Sequence, residues 1–554
     1  MGLKPDPDVV IIGSGAGGSA AAWRLTQQGL RVLILEAGPN FDPSDYKLDS
    51  PTWERQNFPQ KPGSQAEIDY GDLGRHDPDF PDLQSWSGLR NQSRQPASAA
   101  RTPSPIGYGH VLGVGGSTLR YVGEAHRLHP KAFQLKTITQ TGADWPLGYN
   151  ALEPYYSICE TLLGVACDSA QSERPRSQPY PMGPHPLSTG AKALLKATQS
   201  IEQKWEFNPR AANSRPYDER PQCNYCGQCA RGCPIGDKAS ADVTFLRKAQ
   251  ATGRLTLLAN APVSKIIQGA NSRITHVEYQ QNGQRHLQAT PQLVLAAGAV
   301  QSPRLLLMSA AADHPNGLAN SSGQVGRNFM ETLWWQSMGL VSGLQNNHMG
   351  LPADLTDWSK TAPDALPGLT GGFKLTHASL DLGLNGPIGF ASRMIPGFGI
   401  DFKTRLRQSF GSALAISAIG QVIPDARSYI ALSDKTDTNG LPLAQINSVL
   451  NRQSLSLLRA MAAATRAALW AAKTKIIEEA SSYDSFQATH VFGTAKMGHD
   501  AQSSVVNAFG QSHDHPNLWI TDASIFPTSG GGEAPALTIM ALATRTADAI
   551  IRME

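Results

Sequence analysis

"DVVIIGSGAGGSAAAWRLTQQGLRVLILEAG", residues Asp8 to Gly38, reads as strand, glycine loop, helix and strand. Val9 to Ile12 form an apolar run suited to a buried parallel strand. Gly13, Gly15 and Gly18 give G-x-G-x-x-G. The first permits a tight turn, the second lets backbone approach a pyrophosphate, and the third lets the helix sit close on the sheet. The helix N-terminus from Gly15 to Ala20 offers free N–H groups and the positive dipole end to phosphate. Glu36 ends the second strand, 18 residues after Gly18. An acid there can accept hydrogen bonds from both ribose hydroxyls and would repel a 2′-phosphate. These residues predict a dinucleotide site on an α/β sheet and leave FAD and NAD both open.

Two later blocks return to the same sheet. "LVLAAGAVQSPRLLLMSA" (Leu293 to Ala310) predicts a strand at Leu293–Leu295. Small residues Ala296, Ala297 and Gly298 follow, and Pro303 suits a helix first turn. Near the C-terminus, Leu518 to Thr521 predict a strand with Asp522 and Ala523 at its carboxyl end, and Pro535 opens a final helix. Open α/β sheets place ligands at strand carboxyl ends. Between these blocks, Glu331 to Ser482 alternates short apolar runs with turn signals, predicting an antiparallel sheet and helices that include Ser454 to Ala480.

At 554 residues the chain is expected to hold two or more domains. Its 40% hydrophobic and 17% charged content fits a soluble globular protein. A formal charge of +3, with signs interleaved, does not favour nucleic acid as a partner. No run approaches the roughly 20 apolar residues of a membrane span. The start "MGLKPDPDVVIIGSG" is not a secretory signal. The expected location is cytoplasmic, or periplasmic by export with a partner subunit. The polar stretch from Gly71 to Ile106 reads as a long loop and a candidate lid.

These blocks, with "GYGHVLGVGGSTLRYVG" (Gly107 to Gly123), "ADWPLGYNALEPYY" (Ala143 to Tyr156) and "HVFGTAKMGHD" (His490 to Asp500), resemble the glucose–methanol–choline oxidoreductases, a family of FAD enzymes. The resemblance implies a Rossmann-type FAD-binding domain assembled from residues 1–160, 223–330 and 486–554. It also implies an α+β substrate domain with an antiparallel sheet from 161–222 and 331–485. It selects FAD over NAD. It places Gly115, Gly116 and Ser117 along the isoalloxazine, Val263 at the adenine, and Asp522 and Ala523 near the pyrophosphate and ribityl chain. Ala297 and Gly298 join the same cofactor set.

In the resembled family the histidine matching His490 faces the flavin and takes the hydroxyl proton of an alcohol. Imidazole, with an ordinary pKa of about 6.5, suits that task. The family's second polar partner precedes a proline in the last motif. Here "GGGEAPALTI" puts Glu533 and Ala534 before Pro535. Either Ala534 leaves the position empty, or Glu533 reaches the substrate or holds His490, or Glu533 is a solvent-facing loop residue. Leu119 and Arg120 stand where many relatives carry an asparagine, and Arg120 is a candidate for binding an anion.

"CNYCGQCARGCP" holds Cys223, Cys226, Cys229 and Cys233, four of the six cysteines. The spacing C-x2-C-x2-C-x3-C-P is one that ferredoxins use for iron–sulfur clusters. The catalytic subunits of bacterial FAD sugar dehydrogenases resemble this chain and carry C-x5-C-x3-C here, met by Cys223, Cys229 and Cys233. A 3Fe-4S cluster on these three, or a 4Fe-4S cluster with Cys226, is one reading. Zinc, redox disulfides and plain reduced thiols are the others, the last because fatty-alcohol oxidases resemble the segment as well. Cys159 and Cys167 are expected on a helix as buried apolar residues.

The leading function is FAD-dependent oxidation of a CH–OH group in an alcohol or sugar, with electrons passing to a cytochrome or quinone acceptor, through a cluster if one is present. The alternatives are an oxidase using oxygen on a long-chain or steroid alcohol, and a non-oxidative flavoprotein such as an isomerase, lyase or decarboxylase.

Overall fold

The computed structural model describes residues 6–42, 67–74, 77–89, 107–171, 174–380 and 382–553. Its organising element is a five-stranded parallel sheet. The strand order is Leu518–Ile520, Gln292–Leu295, Val9–Ile12, Val32–Leu35 and Leu255–Leu258. Val9 lies opposite both Val32 and Gln292, Leu293 opposite Leu518, and Val32 opposite Leu255. The three central strands are buried at every position, which is why they are continuous apolar runs and not alternating ones. Helix Ala16–Gln27 packs on the final helix Ala536–Ile551, which in turn packs on Tyr149–Leu163.

The largest sheet is antiparallel, with seven strands in the order Trp86–Ser87, Thr474–Ser481, Leu333–Val341, Ala413–Gly420, Phe373–His377, Leu355–Asp357 and Trp205–Phe207. Helix Arg452–Ala471 covers two of its central strands. The fold is thus the expected mixed α/β class, with a Rossmann-like sheet built from separated segments beside antiparallel sheets.

Four local expectations are corrected. The helix expected over Ser454–Ala480 ends at Ala471. Lys473 then turns with φ +53°, and Thr474–Ser481 is a strand. Glu478 and Glu479 disguise it as helix, yet Glu479 points inward, accepting from Ser337 Oγ and Arg466 Nε at 2.8 Å each. Pro303 lies mid-helix in Gly298–Met308, not in its first turn. It leaves the Ala299 carbonyl without its helical donor, and Thr494 Oγ1 supplies one at 2.6 Å. Cys159 is on helix Tyr149–Leu163, but Cys167 lies beyond its end. In the candidate lid, residues 77–89 are docked: Phe80 and Leu83 are buried, and Trp86–Ser87 pairs with Glu478 and Glu479. Residues 71–74 are docked as well, Gly71 N donating to the Ile446 carbonyl at 3.0 Å, and 75–76 and 90–106 fall outside the described residues.

Candidate active site

The carboxyl ends of the parallel strands carry most of the expected cofactor residues. Gly13 has φ +93°, and a β-carbon there would meet the Ala296 carbonyl at 2.6 Å. Gly15 caps helix Ala16–Gln27, and Gly18 packs directly over the Gly13 carbonyl. Gly115 and Gly116, with φ +105° and +55°, lie across this loop. Gly115 N–H donates to Ser14 Oγ at 3.1 Å, and Ser117 Oγ accepts from Val111 N at 3.3 Å. Glu36 is buried, accepting from Ser14 N at 2.9 Å, Ser14 Oγ at 2.6 Å and Gly38 N at 2.9 Å. Burial pushes its carboxyl up, and those hydrogen bonds pull it back. Ala261 N donates to the Glu36 carbonyl at 2.8 Å, which brings the segment leading to Val263 alongside.

Asp522 closes the far end. It accepts from Gly298 N at 2.9 Å, Ser302 Oγ at 2.5 Å and Ser524 N at 2.8 Å, and Ala297 N donates to the same Ser302 hydroxyl at 3.2 Å. Gly493 N donates to the Ala523 carbonyl at 3.2 Å, joining this edge to the segment that carries His490.

His490 is held by its backbone. Thr332 Oγ1 accepts from His490 N at 2.8 Å and donates to His490 O at 2.9 Å. Just before it, Ala488 is bonded on both sides to Gly107 and Gly109, which lead into the glycine-rich stretch at Gly115. The half-buried imidazole is driven down to about 4, by burial first; Glu124 favours its charged form and Lys374 opposes it. At neutral pH it is therefore unprotonated and able to accept a proton.

Glu533 is buried, not solvent-facing, and its Oε1 accepts from Arg174 Nη2 and His129 N at 3.0 Å each. Arg174 also stacks over the Trp358 ring, 4.2 Å from its centroid. Oε1 is thus committed to an ion pair, while the buried Oε2 has no partner among the described residues. Ala534 contributes its backbone, donating to His126 Nδ1 at 2.9 Å. That fixes the His126 proton on Nε2, which donates to Asn208 Oδ1 at 2.7 Å. Asn208 Nδ2 donates to Glu124 Oε1 at 2.8 Å, and Lys374 Nζ donates to the same oxygen at 2.6 Å. Burial opposes the Glu124 charge, but Lys374 and Arg210 hold its carboxyl well below the usual range. Sequence reasoning missed this network. The signal available was a lone acid directly after the glycine-rich stretch, at "RYVGE".

Models of the GMC oxidoreductase family match residues 187–333 and 424–543, and a model of an NAD(P)-binding Rossmann-like domain matches 11–42. The chain is 30% identical over 569 residues to the fructose dehydrogenase large subunit of Gluconobacter japonicus, covering 98% of this chain and 97% of that one. The chain belongs to the GMC oxidoreductase family. Identity to the 2-methyl-1,2-propanediol dehydrogenase of Mycolicibacterium austroafricanum is 28%, over 98% of this chain and 95% of that one. Among solved structures, pyridoxine 4-oxidase from Mesorbium loti shares the fold, with a TM-score of 0.64, 17% identity and 99% of both chains covered.

The residues of this GMC oxidoreductase fit a bound dinucleotide. Glycines line the loops where a side chain would intrude. The first N–H groups of helix Ala16–Gln27 lack helical acceptors. The buried hydroxyl of Thr521, beside Asp522, has no partner among the described residues.

The cysteine run departs from expectation. Cys223 and Cys229 are buried, Cys233 is half-buried and Cys226 is exposed; all six cysteines are free. Cys233 Sγ donates to Asp237 Oδ1 at 2.9 Å. Burial pushes the thiols up, to about 11 for Cys229 and about 12 for Cys233, and Asp237 adds to the rise at Cys223 and Cys233. Among the described residues no group of three or more His, Cys, Asp or Glu side chains is arranged to hold a metal ion. As placed, Cys223, Cys226, Cys229 and Cys233 do not form an iron–sulfur or zinc ligand set, and no disulfide joins them.

Proposed function

We propose that this GMC oxidoreductase is an FAD-dependent enzyme that oxidises a CH–OH group of a polyhydroxylated alcohol or sugar. The observation that carries the reading is the neutral, backbone-clamped His490, stitched to the loops that cradle the dinucleotide. The cofactor side is assigned to the segments that build the parallel sheet, and the substrate side to the antiparallel sheets, which Ile68–Tyr70 and Trp86–Ser87 join from the N-terminal part of the chain.

Bound in the cleft, FAD supplies the acceptor for a hydride from the carbinol carbon. The protein supplies the rest. His490 takes the hydroxyl proton as the C–H bond is lost, which lowers the barrier to hydride departure. Glu124 stabilises the imidazolium that results, and Thr332 clamps the His490 backbone. Support for polyhydroxylated substrates comes from the relatives named for fructose and for 2-methyl-1,2-propanediol, compounds with neighbouring hydroxyl groups.

Anaerobic mixing of the holoenzyme with fructose, 2-methyl-1,2-propanediol and simple alcohols tests the reading. Loss of the oxidised flavin absorbance with a polyol supports it. An unbleached flavin across the panel overturns it and favours a non-oxidative flavoprotein. On admitting air, peroxide formation assigns oxygen as acceptor; reoxidation only by added quinone or cytochrome assigns a dehydrogenase.

A further inference from the structure

Glu124 is a carboxylate with one oxygen saturated and one open. Oε1 takes Lys374 Nζ at 2.6 Å and Asn208 Nδ2 at 2.8 Å, with His126 Nε2 at 3.8 Å behind them. Among the described residues no hydrogen bond reaches Oε2, and the side chain keeps 12% exposure where Lys374 and His126 keep 1% and none. Lys374 and His126 thus form a buried floor under Oε1 and leave Oε2 without a partner among the described residues. Buried donors fix one oxygen, and the partly exposed other oxygen is left able to accept from a ligand hydroxyl.

The position of Glu124 links it to the reacting centre. A chain of hydrogen bonds runs from Glu124 through Asn208 and His126 to the backbone N–H of Ala534. Ala534 is the candidate for the position where the resembled family places its second polar partner, and its own side chain has no polar atom. The same C-terminal loop touches the floor again: a β-carbon on Gly532 would lie 3.2 Å from Lys374 Cγ. Lys374 is on strand Phe373–His377, and Glu124 lies just beyond the glycine-rich stretch that crosses the dinucleotide loop. Three segments therefore converge on one acceptor.

We propose that Glu124 anchors a second hydroxyl of a neutral polyol whose neighbouring carbinol is oxidised beside His490. The inference rests on the functional reading above and narrows it. A fixed carboxylate recognises a hydrogen-bond donor on the substrate, so a carbinol with an adjacent hydroxyl binds well. A mono-alcohol leaves the desolvated oxygen unpaired. A sugar acid, with a carboxylate at that place, is repelled.

The test compares kcat/KM for 2-methyl-1,2-propanediol and 2-methyl-1-propanol, which differ by the one hydroxyl, using anaerobic reduction of bound FAD. The wild-type ratio is expected to be about 10²-fold or more, the discrimination one hydrogen bond to a charged group can supply. In Glu124→Gln, which keeps an acceptor oxygen and a partner for Lys374, the ratio falls to about 10-fold. In the double variant Glu124→Ala with Lys374→Met, which leaves no unpaired buried ammonium, it falls below about 3-fold. FAD absorbance confirms that each protein is folded and loaded. A ratio that survives in both loaded variants, or a wild-type ratio near unity, overturns the proposal. A wild-type flavin reduced by no alcohol at all is a different result and removes the functional reading itself.

Discussion

Gly116 stands so close to Gly15 that a β-carbon on it would lie 2.8 Å from the Gly15 α-carbon. The two loops that frame the dinucleotide cleft meet at this point, and Gly116 holds φ +55° there. Gly116→Ala must part the loops or strain the backbone, at a cost of about 1–3 kcal/mol. The expected outcome is a folded protein whose flavin content per chain, read from visible absorbance, drops at least about tenfold at limiting FAD. Full loading at wild-type affinity would contradict the placement of the cleft.

Glu533 and Arg174 form a buried ion pair with side chains 0% and 8% exposed. Removing one partner leaves the other uncompensated. Glu533→Ala is expected to lose about 3–5 kcal/mol in urea unfolding, and Glu533→Ala with Arg174→Met to recover most of it. A stable Glu533→Ala protein with abolished flavin reduction would return Glu533 to the substrate.

Burial drives His110, His185 and His490 each down to about 4. Their folded values lie below the unfolded value near 6.5, so the unfolded chain binds more protons in between. The stability tied to these neutral rings is complete above about pH 7 and is lost as pH falls toward 4, on the order of 3 kcal/mol for buried His185 alone. Chemical denaturation at stepped pH should give a plateau and then a decline. Stability that rises on acidification through this window would be inconsistent with neutral buried imidazoles.

All six cysteines are free. Iodoacetamide added in denaturant without reductant should place one adduct on each, measured by intact mass. In the native protein Cys226, the exposed member, should react first. A mass short by a pair of adducts would show a disulfide and return the run to the redox reading.

The cofactor half of the site was legible because its signals are local. Gly13, Gly15, Gly18 and Glu36 fall within one strand–helix–strand unit, where spacing alone prescribes geometry. Asp522 was legible as the acid at a strand end. The substrate half was not, because it is assembled across the fold: Glu124 and Lys374 are 250 positions apart and meet only through the antiparallel sheet. The burial of Glu533 was not legible for the same reason, since its partner Arg174 is 359 residues away. Thr474–Ser481 was misread because a buried Glu479, neutralised by Arg466 on the preceding helix and bonded to Ser337 142 residues earlier, mimics the polar face of a helix. Local pattern reports what a segment prefers, and an ion pair can reverse which face it buries.

The most direct measurement of the central claim is the rate of anaerobic flavin reduction in His490→Asn beside the wild type, at equal FAD content and saturating polyol. If His490 takes the hydroxyl proton, the variant keeps its flavin and its reduction slows by about 10²–10⁴-fold. The wild-type rate should stay level from pH 8 down to about 5 and fall only as the imidazole charges near 4. Reduction at the wild-type rate in the loaded variant would contradict the account.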